Sequence, residues 1–245
     1  MRALRWMPDR HVTVTSDSCP SCNPHRPPMH PPASLRIDFV SDVACPWCAV
    51  GLASLEHALS RIGDDVGVSL HMQPFELNPA MTVEGVDAAT YLKNKYGMSD
   101  AQLQAARANL QQRGAEVGFR FGERTRIWNT FDAHRLLHWA GLEGRQRELK
   151  RELLKAYHGD GKNPGDPAVL LACAVAAGLD AARATAVIAS RDFADEVRAA
   201  ERFWQQAGIH AVPSVVIDQR HLIQGGQPPE VFERALREIA AGKAG

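Results

Sequence analysis

Cys45-Pro46-Trp47-Cys48 is the stretch whose reading decides the fold. It follows a short apolar run, Leu35-Arg36-Ile37-Asp38-Phe39-Val40, and it opens a helical one from Ala49 to Leu59. A strand, a tight loop and a helix starting at C-x-x-C is the layout of a redox dithiol. The first turn of a helix carries backbone N–H groups without partners and a partial positive charge. A thiolate placed there is stabilised, so its pKa falls and it can attack a disulfide at neutral pH. The second cysteine, three residues on, lies one turn along the same face and can close the ring. Pro46 suits the first helical turn, where its missing N–H costs nothing.

Outward from this stretch the chain reads as two halves around a helical block. Residues 35–40 make a first strand and 46–61 a first helix. Gly63-Asp64-Asp65 is a turn, and Val66-Gly67-Val68-Ser69-Leu70-His71-Met72 alternates apolar and polar residues as a strand does. Strand, helix, strand at this spacing implies a parallel, right-handed βαβ unit. After Pro74-Phe75-Glu76-Leu77-Asn78-Pro79 the pattern turns helical. Ser99-Asp100-Ala101-Gln102 is a capping box. Helical spacing runs from Asn129 to Ala140 and through Leu149, Leu153 and Ala156. Asp166-Pro167 starts another helix, and Phe193, Val197, Ala200 and Trp204 mark the last of the block, which Gly208 stops. Strand character returns in Ser214–Asp218 and His221–Gln224, and Pro228-Pro229 open a closing helix. The order βαβ, helical block, ββα predicts an α/β fold with a four-stranded mixed sheet and helices on both faces.

The composition sets limits. The chain has 245 residues, 45% of them hydrophobic and 23% charged, which is ordinary for a globular protein. Lys plus Arg and Asp plus Glu each number 28, so no charge excess favours nucleic acid or an anionic membrane. No apolar run approaches the ~18 residues that span a bilayer. The N-terminus has charge but no hydrophobic region after it, so it does not read as a secretory signal, and a cytoplasmic location is expected. Residues 1–33 hold seven of the fifteen prolines and few large apolar side chains, the pattern of a disordered tail. This tail contains Cys19-Pro20-Ser21-Cys22 with His11, His25 and His30 nearby. Half a zinc site or a second dithiol is the sharper reading. The spacing lacks a second clean ligand pair, so an unstructured leader is favoured and no metal site is expected.

Five stretches in order then resemble one family. They are Asp38-Phe39-Val40-Ser41-Asp42 with the dithiol, Pro74–Pro79, Trp128-Asn129-Thr130-Phe131-Asp132-Ala133-His134-Arg135-Leu136, Ala211-Val212-Pro213-Ser214-Val215-Val216-Ile217, and Gly225-Gly226-Gln227-Pro228-Pro229. Together they resemble the DsbA-type thioredoxin superfamily, in its FrnE-like branch, a neighbour of the kappa-class glutathione transferases and 2-hydroxychromene-2-carboxylate isomerases. The resemblance implies a thioredoxin-like domain made of residues 34–77 and 209–245, with residues 78–208 as an inserted helical domain. It implies that Cys45 is the attacking thiol and Cys48 the resolving one. It also implies a cis Val212-Pro213 peptide facing the dithiol, with the Val212 backbone offered to a substrate chain.

Catalytic candidates are therefore Cys45, Cys48 and Pro213. Candidate substrate-binding residues are Pro46, Trp47, Val212, Asn129, His134 and Gln227. Trp47 reads equally as a rim for substrate or as packing against the helical block. His134, and Arg135 beside it, read as packing residues or as groups that tune the thiolate. Gly225-Gly226-Gln227 is either a plain turn or, as in glutathione-binding relatives, a corner for a carboxylate at a helix N-terminus. Cys173 lies in an apolar run and reads as a core residue.

The leading function is a thiol–disulfide oxidoreductase acting on disulfide-containing proteins or small thiol compounds. It needs no bound cofactor and leaves glutathione open as a co-substrate. A glutathione-dependent isomerase or transferase is the alternative, although such relatives commonly carry serine where this chain has Cys45. A binding module that shields unfolded chains is a third reading with no positive signal. Nucleic acid and membranes are not expected partners, and the chain could be a monomer or a homodimer.

Overall fold

The structure is a computed structural model and describes residues 34–244. The tail motif Cys19–Cys22 lies outside these residues. Strand β1 (Ser34–Ser41) leads through a four-residue loop to helix α1 (Pro46–Ile62), and a single 3-10 turn (Gly63–Asp65) leads on to β2 (Gly67–Pro74). After a long helical segment come β5 (Ser214–Ile217), β6 (His221–Gln224) and α9 (Pro229–Ala244). The four strands form one mixed sheet in the order β2-β1-β5-β6. β1 and β2 run parallel with Phe39 beside Met72, β1 and β5 antiparallel with Phe39 beside Val215, and β5 and β6 antiparallel. This is the thioredoxin-like α/β arrangement.

Alternation along β1 explains how the sheet is covered. Leu35, Ile37 and Phe39 point to one face and are fully buried against Leu52 and Leu55 of α1 and Phe232 and Leu236 of α9. Each such side chain contributes roughly 1.5–3 kcal/mol by leaving water. Val40 points the other way and packs with Trp204 and Val216. Along α1, Leu52, Leu55, Ala58 and Ile62 recur at helical spacing on the buried side. Gly51 sits where α1 passes the Val212-Pro213 turn: a Cβ there would meet Pro213 Cγ at 2.9 Å.

Between β2 and β5 the chain is less uniformly helical than its pattern predicts. It holds α2 (Ala88–Tyr96), α3 (Asp100–Glu116), α4 (Phe131–Leu142), α5 (Gln146–Leu154), α6 (Pro167–Ala176), α7 (Ala181–Ala189) and α8 (Ala194–Gln206). The capping box forms as expected, with Ser99 and Gln102 bonded reciprocally. Two short strands, β3 (Val86–Asp87) and β4 (Arg126–Ile127), pair antiparallel within this block. Two-residue strands are set by a partner far along the chain and leave no alternation to read. Helices α2 and α7 are not marked by the apolar pattern either, since each is short and has few buried residues. Helix α4 begins at Phe131, two residues after Asn129, because the Asn129 side chain accepts from the Phe131 N–H at 2.8 Å and closes a turn. Phe193 sits just outside α8 with φ +65°.

The helices build a second apolar cluster around Leu136, Trp139, Leu149, Leu153, Tyr157 and Leu170. Val43, from the loop between β1 and α1, is part of that cluster. The residue two before Cys45 is thus anchored in the helical core.

Candidate active site

Cys45 occupies the N-cap of α1, with extended backbone (φ −86°, ψ 114°) and Pro46 at the first helical position. The Cys48 N–H donates to the Cys45 carbonyl at 3.1 Å, so the two residues span one turn. Both are free thiols. The neighbouring Cys48 thiol and the Cys48 and Trp47 N–H groups favour the Cys45 thiolate. These outweigh burial and the nearby Asp42 charge, and hold Cys45 below the ordinary thiol range. Cys48 is completely buried, and burial together with the Cys45 charge pushes it well above that range. The two sulfurs are therefore unequal: the first is poised to ionise and the second is held protonated.

The Val212-Pro213 peptide is cis, and the Val212 carbonyl accepts from Cys45 Sγ at 3.5 Å. Four residues expected at the centre, Cys45, Cys48, Val212 and Pro213, thus meet across 167 residues of sequence. Trp47 is 37% exposed, the outermost of the motif residues. Its backbone oxygen and ring lie 3.2–3.3 Å from where a Gly226 Cβ would stand. The Gly225–Gln227 corner therefore borders the dithiol, and the missing side chain permits the approach. Arg113 of α3 reaches the same corner, donating to the Gly226 carbonyl at 3.3 Å. The Gln227 amide donates back to Gln224 at 2.8 Å and closes its own turn. Pro46 is half-buried beside Trp47.

The other expected residues lie elsewhere. Asn129 spends its amide on the Met81 carbonyl (3.0 Å) and the Phe131 N–H. Arg135 is buried and donates to the carbonyls of Val187 (2.8 Å) and Asp192 (2.9 Å), stapling α4 to the end of α7. His134 is 2% exposed, which leaves it no surface for substrate. It meets Asp42 at 3.4 Å. Cys173 is in the helical core, where burial pushes it up to about 11.

Sequence reasoning assigned Asp42 no role, yet it organises the loop. One carboxylate oxygen accepts from the Ala44 N–H (3.0 Å), the Thr130 hydroxyl (2.8 Å) and His134. The other accepts from the Leu77 N–H at 2.7 Å. Burial opposes its charge, but the bond and charge of His134 and the two N–H groups hold it below the usual carboxylate range. The next two residues are gripped as well. His158 Nε2 lies 2.8 Å from the Val43 carbonyl, and Arg124 donates to the Ala44 carbonyl at 3.0 Å. His158 belongs to a π-turn, Lys155–Gly159, that continues α5. Asp42, Val43 and Ala44 are each held by a side chain from the helical segment, so that segment sets where Cys45 sits. Thr130, His134, His158 and Arg124 lie 80 or more residues from their partners in the loop, beyond any local signal. Among the described residues no group of three or more His, Cys, Asp or Glu is arranged to hold a metal.

A cysteine pair at a helix N-terminus, faced by a cis-proline turn on a β2-β1-β5-β6 sheet, defines a thioredoxin-fold dithiol protein. Residues 36–237 match the model of the DsbA-like thioredoxin domain, and the chain belongs to that family. The crystal structure of the probable DsbA oxidoreductase SCO1869 from Streptomyces coelicolor is 40% identical, with a TM-score of 0.78 over 85% of this chain and 90% of that one. The uncharacterized protein YwbO of Bacillus subtilis (strain 168) is 28% identical over 84% of this chain and 97% of its own. A 2-hydroxychromene-2-carboxylate isomerase shares the fold, with a TM-score of 0.64 at 15% identity over 85% of this chain and 98% of the isomerase.

Proposed function

We propose that the chain is a thiol–disulfide oxidoreductase of the cytoplasm, acting on protein disulfides or small disulfides, with Cys45 as nucleophile and Cys48 as resolving thiol. The observation that carries this is the placement of the pair: the Cys45 thiol at the N-cap of α1 beside the Val212 carbonyl, and the Cys48 thiol fully buried one turn behind. The Cys45 thiolate attacks a substrate disulfide, forms a mixed disulfide and expels one substrate thiolate. Cys48 then attacks Cys45, and the second substrate thiol leaves. An extended substrate chain pairs with the Val212 backbone, and Trp47 and Gly226 border it. No bound cofactor enters these steps, and glutathione fits as a co-substrate.

Insulin reduction by dithiothreitol tests this. The wild type is expected to bring on turbidity earlier than the uncatalysed control, and Cys45→Ser to lose the effect. Equal activity of the two would sink the dithiol mechanism. The fold shared with the isomerase, and the Arg113 guanidinium at the Gly226 corner, favour a glutathione-dependent isomerase or transferase as the second reading. Tight glutathione binding by calorimetry without insulin activity would select it.

A further inference from the structure

A cavity of about 600 Å³ opens along the outer edge of β2, between that strand, α4 and α5, with Ala200 of α8 at one side. None of Cys45, Cys48, Trp47, Val212 or Gly226 lines it, so it is separate from the dithiol. Its size is that of a site for a small organic molecule. Leu142 and Gly144 are exposed and mark its mouth, whereas Met72, Leu137 and Lys150 are buried and mark its floor.

Lys150 is the unusual member of that floor. It is 1% exposed, and among the described residues it makes no hydrogen bond or ion pair. The wholly enclosed side-chain atoms without partners are Ser54 Oγ, Glu76 Oε1, Glu201 Oε1 and Asp218 Oδ2, and Lys150 Nζ is not one of them. The exposure that Lys150 keeps is therefore at its ammonium, where the residue meets the cavity. An ammonium withdrawn from water without an anion beside it is costly. Gln146, one turn earlier on the same face of α5, sets its position. The Gln146 amide accepts from the Met72 N–H at 2.8 Å and donates to the Met72 carbonyl at 3.1 Å, which clasps α5 to the edge of β2.

The other polar groups around the cavity leave this charge unmatched. His71 of β2 and His138 of α4 border it and make no hydrogen bond among the described residues, and the His138 ring stacks on Phe193 at 5.2 Å. His134 Nε2 is turned to Asp42 at 3.4 Å, and Arg147 is held by Glu56 at 2.6 Å. Glu148, the acid of the lining, is two residues from Lys150 and does not share its face of the helix. Burial lowers Lys150 from the usual lysine range, and the charge of Asp42 opposes this only in part.

We propose that this cavity is a second ligand site, for a small organic acid whose carboxylate pairs with Lys150 and whose apolar body lies against Leu70, Met72 and Leu137. A single ammonium among apolar walls matches one negative charge carried on an apolar body. The ligand gains by leaving water along that body, and the buried ammonium gains the partner it lacks. His71 and His138 add N–H donors at the sides. The inference goes beyond the dithiol reading and stands without it.

The test is a calorimetric titration of the full chain with hydrocinnamate, an aryl carboxylate, and with hydrocinnamamide, in which an amide replaces the charge. Hydrocinnamate is expected to bind saturably in the millimolar range or tighter, and the amide about tenfold or more weakly. Lys150→Met keeps the length of the side chain without its charge and is expected to lose about tenfold or more in hydrocinnamate affinity. Ala200→Trp leaves Lys150 in place but fills the cavity, and should lose binding as well; it decides the matter should Lys150→Met fail to fold. Cys45→Ser should bind as the wild type does. The proposal is overturned if hydrocinnamate does not bind the wild type, if the amide binds equally well, or if folded Lys150→Met or Ala200→Trp keeps wild-type affinity. Binding that is lost in Cys45→Ser would place the carboxylate at the dithiol and overturn it too.

Discussion

At the scale of single residues, Asp42 carries more of the site than its place in the sequence suggests. Four donors converge on one buried carboxylate, and they come from the loop itself, from the chain after β2 and from the start of α4. Charge-assisted bonds of this kind are worth about 1.5–3 kcal/mol each when buried. Asp42→Asn replaces one acceptor oxygen with an NH₂ group, which cannot accept from any of these donors. The variant is expected to lose roughly 2–3 kcal/mol in urea unfolding. The same change removes a negative charge that opposes the Cys45 thiolate. Thiolate absorbance against pH should therefore show Cys45 ionising at lower pH in Asp42→Asn than in the wild type. An unchanged or higher midpoint would show that the charge of Asp42 does not reach the sulfur.

At the scale of elements, the contact of α1 with the cis-proline turn makes the site. Alanine inside a helix normally stabilises relative to glycine by about 1 kcal/mol. At Gly51 the sign is expected to reverse, because the new methyl would stand 2.9 Å from Pro213 Cγ. Gly51→Ala should destabilise by about 1–3 kcal/mol through overpacking. It should also slow insulin reduction, since the Val212 carbonyl moves with its proline. A thermal melt and the turbidity assay on one preparation check both halves, and a stabilised, fully active variant would refute the contact. The helices that hold the loop act in the same way from the other side. The grip of His158 and Arg124 on Val43 and Ala44 makes the helical segment part of the scaffold of Cys45.

For the whole molecule, the clearest consequence is acid sensitivity. His158 is buried and neutral, lowered from 6.5 to about 3 by burial. Below pH 6.5 the unfolded chain binds a proton there that the folded chain refuses, so stability falls as pH drops from about 6.5 toward 3. The loss from this one group is on the order of a few kcal/mol. Asp42 acts in the same direction at lower pH: its folded carboxyl lies below its unfolded value, so its contribution is lost as pH falls through the folded value. The paired acids Glu76 and Glu201, which share Arg198, act in the opposite sense. Burial raises both, so their stabilising share is present at low pH and is lost as pH rises. A series of melts across this pH range should show the wild-type midpoint falling with acid. His158→Phe should start lower at neutral pH, because the Val43 carbonyl loses its partner, and should vary less with pH. A His158→Phe curve parallel to the wild type would remove His158 as the source.

Residue patterns determined the parts of this protein that depend on near neighbours. The apolar run in β1, the helical run in α1, the proline after Cys45 and the capping box at Ser99 are properties of short stretches, and each is present as read. The order of elements and the quoted stretches were enough to expect the four-stranded sheet and the turn at Val212-Pro213. Tertiary structure alone decided what holds the loop that carries the dithiol. Asp42, His158 and Arg124 do this across gaps that no period bridges, and the burial of Asp42 and His158 is invisible until the helices close over the loop. It also decided that His134 is buried against Asp42, because a helical periodicity tells which residues share a face but not what that face meets. The short pair β3–β4 was hidden for the same reason. Local sequence encodes backbone geometry and amphipathic faces, whereas pKa values and long-range hydrogen bonds depend on the environment that packing creates.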